Sequence, residues 1–134
     1  MTGLRESKTL SIAIDRDPQA VYAFVTDPEN LPKWAVTFCR SAVKSGEGWR
    51  IETSAGPMAV RFAPRNEFGV MDHYLTLPDG NEILVPMRVV PNNNGCEMIF
   101  TIFRQPGMSD ENYAKDAGLV EQDLKNLKHI LEKH

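Results

Sequence analysis

The chain has 134 residues, of which 42% are hydrophobic and 25% charged, and its formal net charge is −3 at pH 7. These values are typical of a soluble globular chain, and we expect one domain, residues 1–134, with one core. The interspersed charges give no electrostatic reason to expect nucleic acid or an anionic membrane as a partner. No apolar run could span a bilayer and the polar N-terminus lacks a signal-peptide core, so we expect a cytoplasmic protein without membrane insertion.

A strand and two short helices are predicted at the beginning of the chain. From Lys8 to Ile14, leucine and isoleucine alternate with small or polar residues, as in a strand with one buried face. Asp17-Pro18 and Asp27-Pro28 each place a capping residue before a proline, which is a typical helix start. Because the second helix contains Pro32, it extends for a turn or two at most and ends near Trp34.

A period-two pattern then predicts six more strands. Turn-rich segments separate them, and short links join antiparallel neighbours, so a meander is the most economical topology. Pro86 falls within one of these strands, where its missing N–H indicates an edge or a bulge. The predicted strands are Thr37 to Lys44, Gly48 to Ser54, Met58 to Ala63, Phe68 to Leu77, Glu82 to Val90 and Cys96 to Arg104.

A long amphipathic helix is predicted from Ser109 to Lys133, with Ser109 as its cap. Its apolar stripe recurs at steps of three and four, while residues between them, Asp116 and Asp123 included, are interpreted as a solvated face. The stripe consists of Tyr113, Ala117, Val120, Leu124, Leu127 and Leu131. Its first half is thin and contains Gly118, which costs about 1 kcal/mol relative to alanine. Close helix–sheet packing would account for this glycine, but we predict instead a ligand cavity beneath Tyr113 to Val120, facing His73.

Two motifs resemble those of the START-like, or SRPBCC, superfamily, which includes polyketide cyclase/dehydrase-like and lipid-transfer proteins. The first motif runs from Ser11 to Trp34 and contains SIAI, DPQAVYAFVTDPEN and LPKW. The stretches Phe68 to Tyr74 and Val85 to Val89 are similar to those of a bacterial branch of that group. The resemblance implies an α+β helix-grip fold. In that fold a curved seven-stranded antiparallel sheet, with two short helices after its first strand, wraps the long C-terminal helix around a hydrophobic cavity.

His73 is the most informative single candidate, because the alternation places it on an otherwise apolar sheet face with Met71 and Leu75. An imidazole there would serve as a polar anchor for a ligand oxygen or as a general acid/base. The alternative is a core histidine whose ring is satisfied by a backbone carbonyl or a water. The chain shows no second catalytic partner for it.

Other candidate ligand contacts come from the inner face of the sheet and the two helical regions. Trp34 is expected at the cavity mouth, where its indole would stack on a ligand ring or cap the core. Arg40 would pair with a ligand carboxylate or enolate if it faces inward, and is a surface charge if it faces outward. The full set of predicted ligand-binding residues is Trp34, Phe38, Arg40, Met58, Phe62, Met71, His73, Met87, Phe100, Tyr113, Ala117 and Val120.

No motif for a metal or a cofactor is present, so we expect neither. The histidines do not cluster, Cys39 and Cys96 lack C-x-x-C spacing, and no phosphate-binding loop or nucleophile elbow occurs. Both cysteines are interpreted as buried free thiols.

Three functions remain, in order of preference. The first is binding of a small hydrophobic or aromatic molecule, lipid- or polyketide-like, between the sheet and the C-terminal helix. The second is a polyketide cyclase or dehydratase with His73 as proton shuttle. The third is an interaction module, such as a homodimer, with a vestigial cavity. The resemblance does not choose among them, because one fold hosts many functions.

Overall fold

The computed structural model describes residues 3–46 and 48–133. Within these ranges the chain forms eight strands and three α-helices, with a short 3-10 helix at Pro28–Asn30. In chain order they are β1 (Ser7–Ile14), α1 (Pro18–Val25), α2 (Leu31–Trp34), β2 (Cys39–Ser45), β3 (Gly48–Thr53), β4 (Gly56–Phe62), β5 (His73–Thr76), β6 (Glu82–Val85), β7 (Met87–Asn92), β8 (Gly95–Phe103) and α3 (Asp110–Glu132).

The strands form two antiparallel sheets. One has five strands in the order β2-β3-β4-β5-β6, which is the meander that the short links predict. The other has three strands in the order β1-β8-β7, because β1 pairs along its whole length with β8, from Ser7 opposite Phe103 to Ile14 opposite Cys96. Strand β1 is therefore held by the far end of the chain.

Pro86 corrects the prediction of seven strands in a single sheet. The predicted strand Glu82 to Val90 is two strands, β6 and β7, which belong to different sheets and are separated by this one residue. Proline cannot donate a ladder hydrogen bond, so pairing is interrupted where it stands. Its carbonyl still accepts a bond from the N–H of Thr101 in β8, at 3.0 Å. The two sheets thus meet at Pro86.

The predicted strand Phe68 to Leu77 is also shorter than expected. Its regular part is β5, while the residues before it bond to β7: Met71 N–H donates to Met87 O at 2.8 Å, and Val89 N–H donates to Gly69 O at 3.0 Å. Gly69 has a φ of +73°, and a Cβ there would collide with the carbonyl of Val89. Glycine is required at this position for both reasons.

Helix α3 begins and packs much as its sequence predicts. The Ser109 Oγ accepts the N–H of Asn112 at 3.1 Å, which satisfies one of the free donors of the first turn. Near its other end, Lys128 Nζ donates to Ala13 O at 2.6 Å and Arg16 donates to Leu131 O at 2.9 Å, so this end is fixed beside β1. None of the helices in the described ranges is both long and apolar enough to cross a membrane.

The core lies where β1, β3, β7 and β8 face α1 and the second half of α3. Its fully buried members include Ile14, Val21, Ile51, Met98 and Leu127. Cys39 and Cys96 are both free and buried, and burial raises the pKa of the Cys39 thiol to about 11. Burial also raises the pKa of the Cys96 thiol, and thiols that resist ionisation are poor nucleophiles, so both act as small apolar residues.

Candidate functional site

A cavity of about 370 Å³ lies between the five-stranded sheet and the first half of α3. Its walls are mostly apolar and come from α2, the inner faces of β3 to β6, the end of β8 and α3. The predicted site residues that line it are Trp34, Phe38, Met58, Phe62, His73, Met87, Phe100 and Val120. Alternation along the strands is thus sufficient to identify most of the sheet's contribution.

Arg40 does not belong to this site, which corrects the prediction that included it. The residue is exposed and does not line the cavity. The pairing of β2 with β3 shifts between Cys39 and Ser41, so Arg40 is the extra residue of a β-bulge. A bulge interrupts the alternation of side chains. Phe38 before the bulge therefore faces the cavity while Arg40 faces solvent.

Met71, Tyr113 and Ala117 are buried but do not line the cavity. The hydroxyl of Tyr113 donates to the carbonyl of Ile102 in β8 at 3.1 Å, and the ammonium group of Lys8 lies 5.5 Å from its ring centre. These contacts place Tyr113 against the three-stranded sheet. The predicted apolar stripe therefore packs largely beside the cavity.

The cavity lies beneath the predicted half of α3 but reaches a different side of it. Val120 lines it, together with Asp116, Leu119 and Asp123. These last three each precede a residue of the apolar stripe by one position, which places them about 100° around the helix. The expectation that the cavity faces His73 is met, since His73 lines the same space.

Asp123 is a site residue that the sequence-based interpretation assigned to the solvated face. Its side chain is only 5% exposed. One carboxylate oxygen accepts the N–H of Thr37 at 3.1 Å, and the other accepts the Thr37 hydroxyl at 2.6 Å. Burial raises the pKa of the Asp123 carboxyl, and the two Thr37 bonds oppose that rise. This contact ties α3 to the segment between α2 and β2.

Asp116 is a second carboxylate at the cavity wall. It is half-buried, and burial is the main cause of its raised pKa. Leu119 lies between the two aspartates on the same side of the helix. A leucine outside the regular stripe was the available signal that this side of α3 also meets protein interior.

His73 lies at the start of β5, opposite Phe62 of β4 and Val85 of β6. Its ring centre is 4.7 Å from that of Phe62, and only 8% of the residue is exposed. Nδ1 lies 3.2 Å from the carbonyl of Met71. Since a carbonyl can only accept, Nδ1 carries the proton, and burial lowers the pKa of the ring so that the neutral form is favoured. Nε2 therefore keeps a lone pair.

That Nε2 lone pair has no hydrogen-bond donor among the described residues. Trp34 presents the opposite case, because its residue is 4% exposed and its Nε1–H finds no acceptor in the described part of the chain. Among the described residues, Nε1 of Trp34 is the buried side-chain nitrogen without a partner, so it is sealed from the cavity space, whereas Nε2 of His73 is an accessible acceptor at the cavity wall. For the sealed Nε1–H of Trp34, the missing partner costs roughly 1 to 3 kcal/mol.

Comparison with known proteins identifies the family. Residues 15–132 match the family described as activator of Hsp90 ATPase homolog 1-like protein, and the chain belongs to this family. It is thereby a member of the START-like (SRPBCC) superfamily, which confirms the resemblance seen in its motifs. Proteins of this fold family generally bind hydrophobic ligands. No curated protein matches the sequence significantly.

Solved structures agree on the fold. An uncharacterised protein from Bacillus thuringiensis has a TM-score of 0.74 at 18% identity, covering 94% of this chain and 98% of that one. A START superfamily protein from Mycobacterium smegmatis has a TM-score of 0.68 at 12% identity (95% and 97% covered). The Aha1 dimer from Colwellia psychrerythraea has a TM-score of 0.71 at 16% identity (95% and 96% covered). At such identities these similarities establish the START-like fold alone.

Proposed function

We propose that this protein binds a small hydrophobic molecule, of lipid-like or aromatic polyketide-like character, in the cavity between the five-stranded sheet and α3. The observation that carries the proposal is a mostly apolar cavity of about 370 Å³ whose wall holds His73 with a free Nε2. Small-molecule sites are typically concave and apolar, with volumes of roughly 300 to 1,000 Å³ and a few polar groups that fix orientation.

The apolar wall favours an apolar occupant over water. A volume of this size corresponds to about a dozen water molecules, each of which needs two or more polar partners. Met58, Phe62 and Phe100 offer none, so water in contact with them is easily displaced. Met58 and Met87 also give the wall flexible side chains that adjust to the shape of a ligand.

The polar groups support an oriented mode of binding. His73 is held by the carbonyl of Met71 and by the Phe62 ring, so its Nε2 has a fixed position. Trp34 lies at the end of α2, and its carbonyl accepts a bond from Asn126 of α3 at 3.1 Å. A ligand hydroxyl at the cavity wall would donate to Nε2 of His73 while the rest of the molecule contacts the apolar side chains.

The two tryptophans of the chain provide the test. Trp34 lines the cavity, whereas Trp49 does not. The variant Trp49→Phe therefore leaves an indole in the cavity wall, and Trp34→Phe leaves the matched control outside it. We expect 1-octanol to change the fluorescence of the first variant saturably and to leave that of the second nearly constant. Native mass spectrometry should show a one-to-one complex with 2-naphthol. Absence of both signals would overturn the proposal.

Catalysis is the second candidate, and the free Nε2 of a neutral imidazole in an apolar site is the observation that favours it. Such a nitrogen can take a proton from an acidic C–H of a polyketide-like substrate and return it elsewhere. If His73→Asn no longer turned over a candidate polyketide-like substrate but still bound 2-naphthol, a cyclase or dehydratase function would be supported. Unchanged turnover in His73→Ala would exclude His73 as the proton shuttle.

A further inference from the structure

We infer that the cavity selects hydrophobic ligands whose polar end is a hydrogen-bond donor without negative charge, namely an alcohol, a phenol or an amine, and that it discriminates against carboxylates. The inference rests on the proposed binding function and specifies the class of ligand. It is carried by the charges at the cavity wall and by the direction of the hydrogen bonds that remain free there.

The charged side chains that line the cavity among the described residues are both acidic. They are Asp116 and Asp123, and no lysine or arginine of the described chain lines it. Neither carboxylate forms a salt bridge with a described residue. Of the lysines of α3, Lys125 pairs with Glu121 and Lys128 with Glu132, while Lys115 is exposed and does not line the cavity, although its charge opposes the rise of the Asp116 pKa. A ligand anion would therefore meet two acidic groups and no compensating cation.

The hydrogen-bonding capacity of the wall points to the same class. Asp123 accepts one bond on each oxygen from Thr37, and a carboxylate has about four acceptor sites, so roughly two remain. Asp116 accepts no hydrogen bond from a described side chain or backbone group, and Nε2 of His73 is a third free acceptor. The free side-chain donors of the described lining are fewer, namely the hydroxyl of Ser54 and the second amide N–H of Gln105, since the unpaired Nε1–H of Trp34 is sealed from the cavity space. Acceptors thus outnumber donors.

Each candidate head group can be judged against this wall. A ligand carboxylate supplies only acceptors, so it finds no partner in Asp116, Asp123 or Nε2 of His73 and adds a like charge near the two aspartates. A hydroxyl supplies one donor for an aspartate or for Nε2 of His73 and adds no charge. An ammonium group supplies three donors and a compensating charge. Burial already raises the pKa of both aspartates, and a nearby cation would reverse that effect while an anion would increase it.

The test compares three head groups on one apolar chain. The Trp49→Phe protein is titrated at pH 7 with 1-octanol, octylammonium and octanoate, and the same head groups on a naphthalene ring are compared by calorimetry. We expect octanoate to bind at least tenfold more weakly than octanol, because its carboxylate would be repelled by the aspartates in a cavity partly shielded from water. Asp116→Asn should reduce the ratio of the octanoate to the octanol dissociation constant at least threefold. The control Glu121→Gln, on the exposed side of α3, should leave it unchanged.

The outcomes separate this inference from the function on which it rests. Octanoate and naphthoate binding as tightly as the alcohols would overturn the charge selection and leave hydrophobic binding intact. An effect of Glu121→Gln equal to that of Asp116→Asn would also overturn it, because the selectivity would then come from overall charge. If none of the six probes binds, both the inference and the proposed function fail.

Discussion

The two halves of α3 belong to one continuous helix, yet they meet the sheets in opposite ways. In the second half, Leu124, Leu127 and Leu131 are all buried and seal the core beside β1. In the first half, Leu119 and Val120 are half-buried and border a cavity. The second half is packed for stability, while the first half leaves space that a ligand can use. A regular amphipathic pattern therefore does not imply uniform packing along a helix.

The two halves of α3 also differ in side-chain size, although the small residues of the first half do not themselves line the cavity. Leucines follow one another along the inner side of the second half, whereas the first half presents Ala114, Ala117 and Gly118. Gly118 is exposed, and a Cβ there would meet nothing within 4 Å. Close helix–sheet packing, one of the two expected reasons for this glycine, is therefore not the explanation. The cavity beneath the same half is present, although Gly118 does not line it.

The largest expected effect tests the sealed half. Leu127 is 0% exposed, so Leu127→Ala should lower the free energy of unfolding by about 3 kcal/mol, through lost burial and the new cavity. Val120→Ala, in the half that borders the cavity, should cost about 1 kcal/mol, because the side chain is only partly buried. Urea unfolding monitored by circular dichroism measures both. Equal losses would contradict the contrast between the two halves.

An intermediate effect tests the thin half. Gly118→Ala should raise the free energy of unfolding by about 1 kcal/mol, because alanine loses less backbone freedom in a helix and the site has room for its methyl group. Ala114→Gly, at another exposed position of the same half, should lower stability by a similar amount. If Gly118→Ala lowers the free energy of unfolding instead, the added methyl group meets an unfavourable contact, and the expectation that this site is open is wrong.

The smallest effect concerns pH. Burial raises the folded-state pKa of Asp123, so its contribution to stability is present below the ordinary value near 3.8 and is lost as the pH rises through the raised pKa. Asp72 behaves oppositely: its hydrogen bond to Arg88 lowers its pKa, so that contribution is present above 3.8 and lost as the pH falls through the lowered value. Each sign follows from which state binds the proton more tightly.

The Asp123→Asn variant isolates the first of these contributions. Asparagine does not titrate. We therefore expect the urea midpoint of the variant, relative to that of the unmodified protein, to be higher at pH 7 than at pH 4. Asp116→Asn should show the same direction with a smaller difference, since Asp116 is less buried. A midpoint difference that does not change with pH would contradict the inference that Asp123 is desolvated beside the cavity.

The sequence alone determined those features that depend on periodicity and local chemistry. The apolar stripe and the Ser109 cap of α3 are confirmed, as is the START-like fold. Most of the sheet residues predicted from alternation line the cavity, and their contact with a ligand stays a prediction. Two local exceptions were beyond it. Pro86 divides one predicted strand between two sheets, and the bulge at Arg40 turns that side chain outward. In both places the sequence departs from a regular strand pattern, but it does not show how the chain is arranged there.

Only the tertiary structure decided which side of α3 borders the cavity. Helical periodicity gives the relative directions of Tyr113, Asp116 and Asp123, but it does not give the rotation of the helix against the sheet. That rotation results from contacts distant in sequence, such as the bonds from Tyr113 to Ile102 and from Lys128 to Ala13. Two aspartates expected in solvent thereby line the cavity, and the chemistry of the site changes with them.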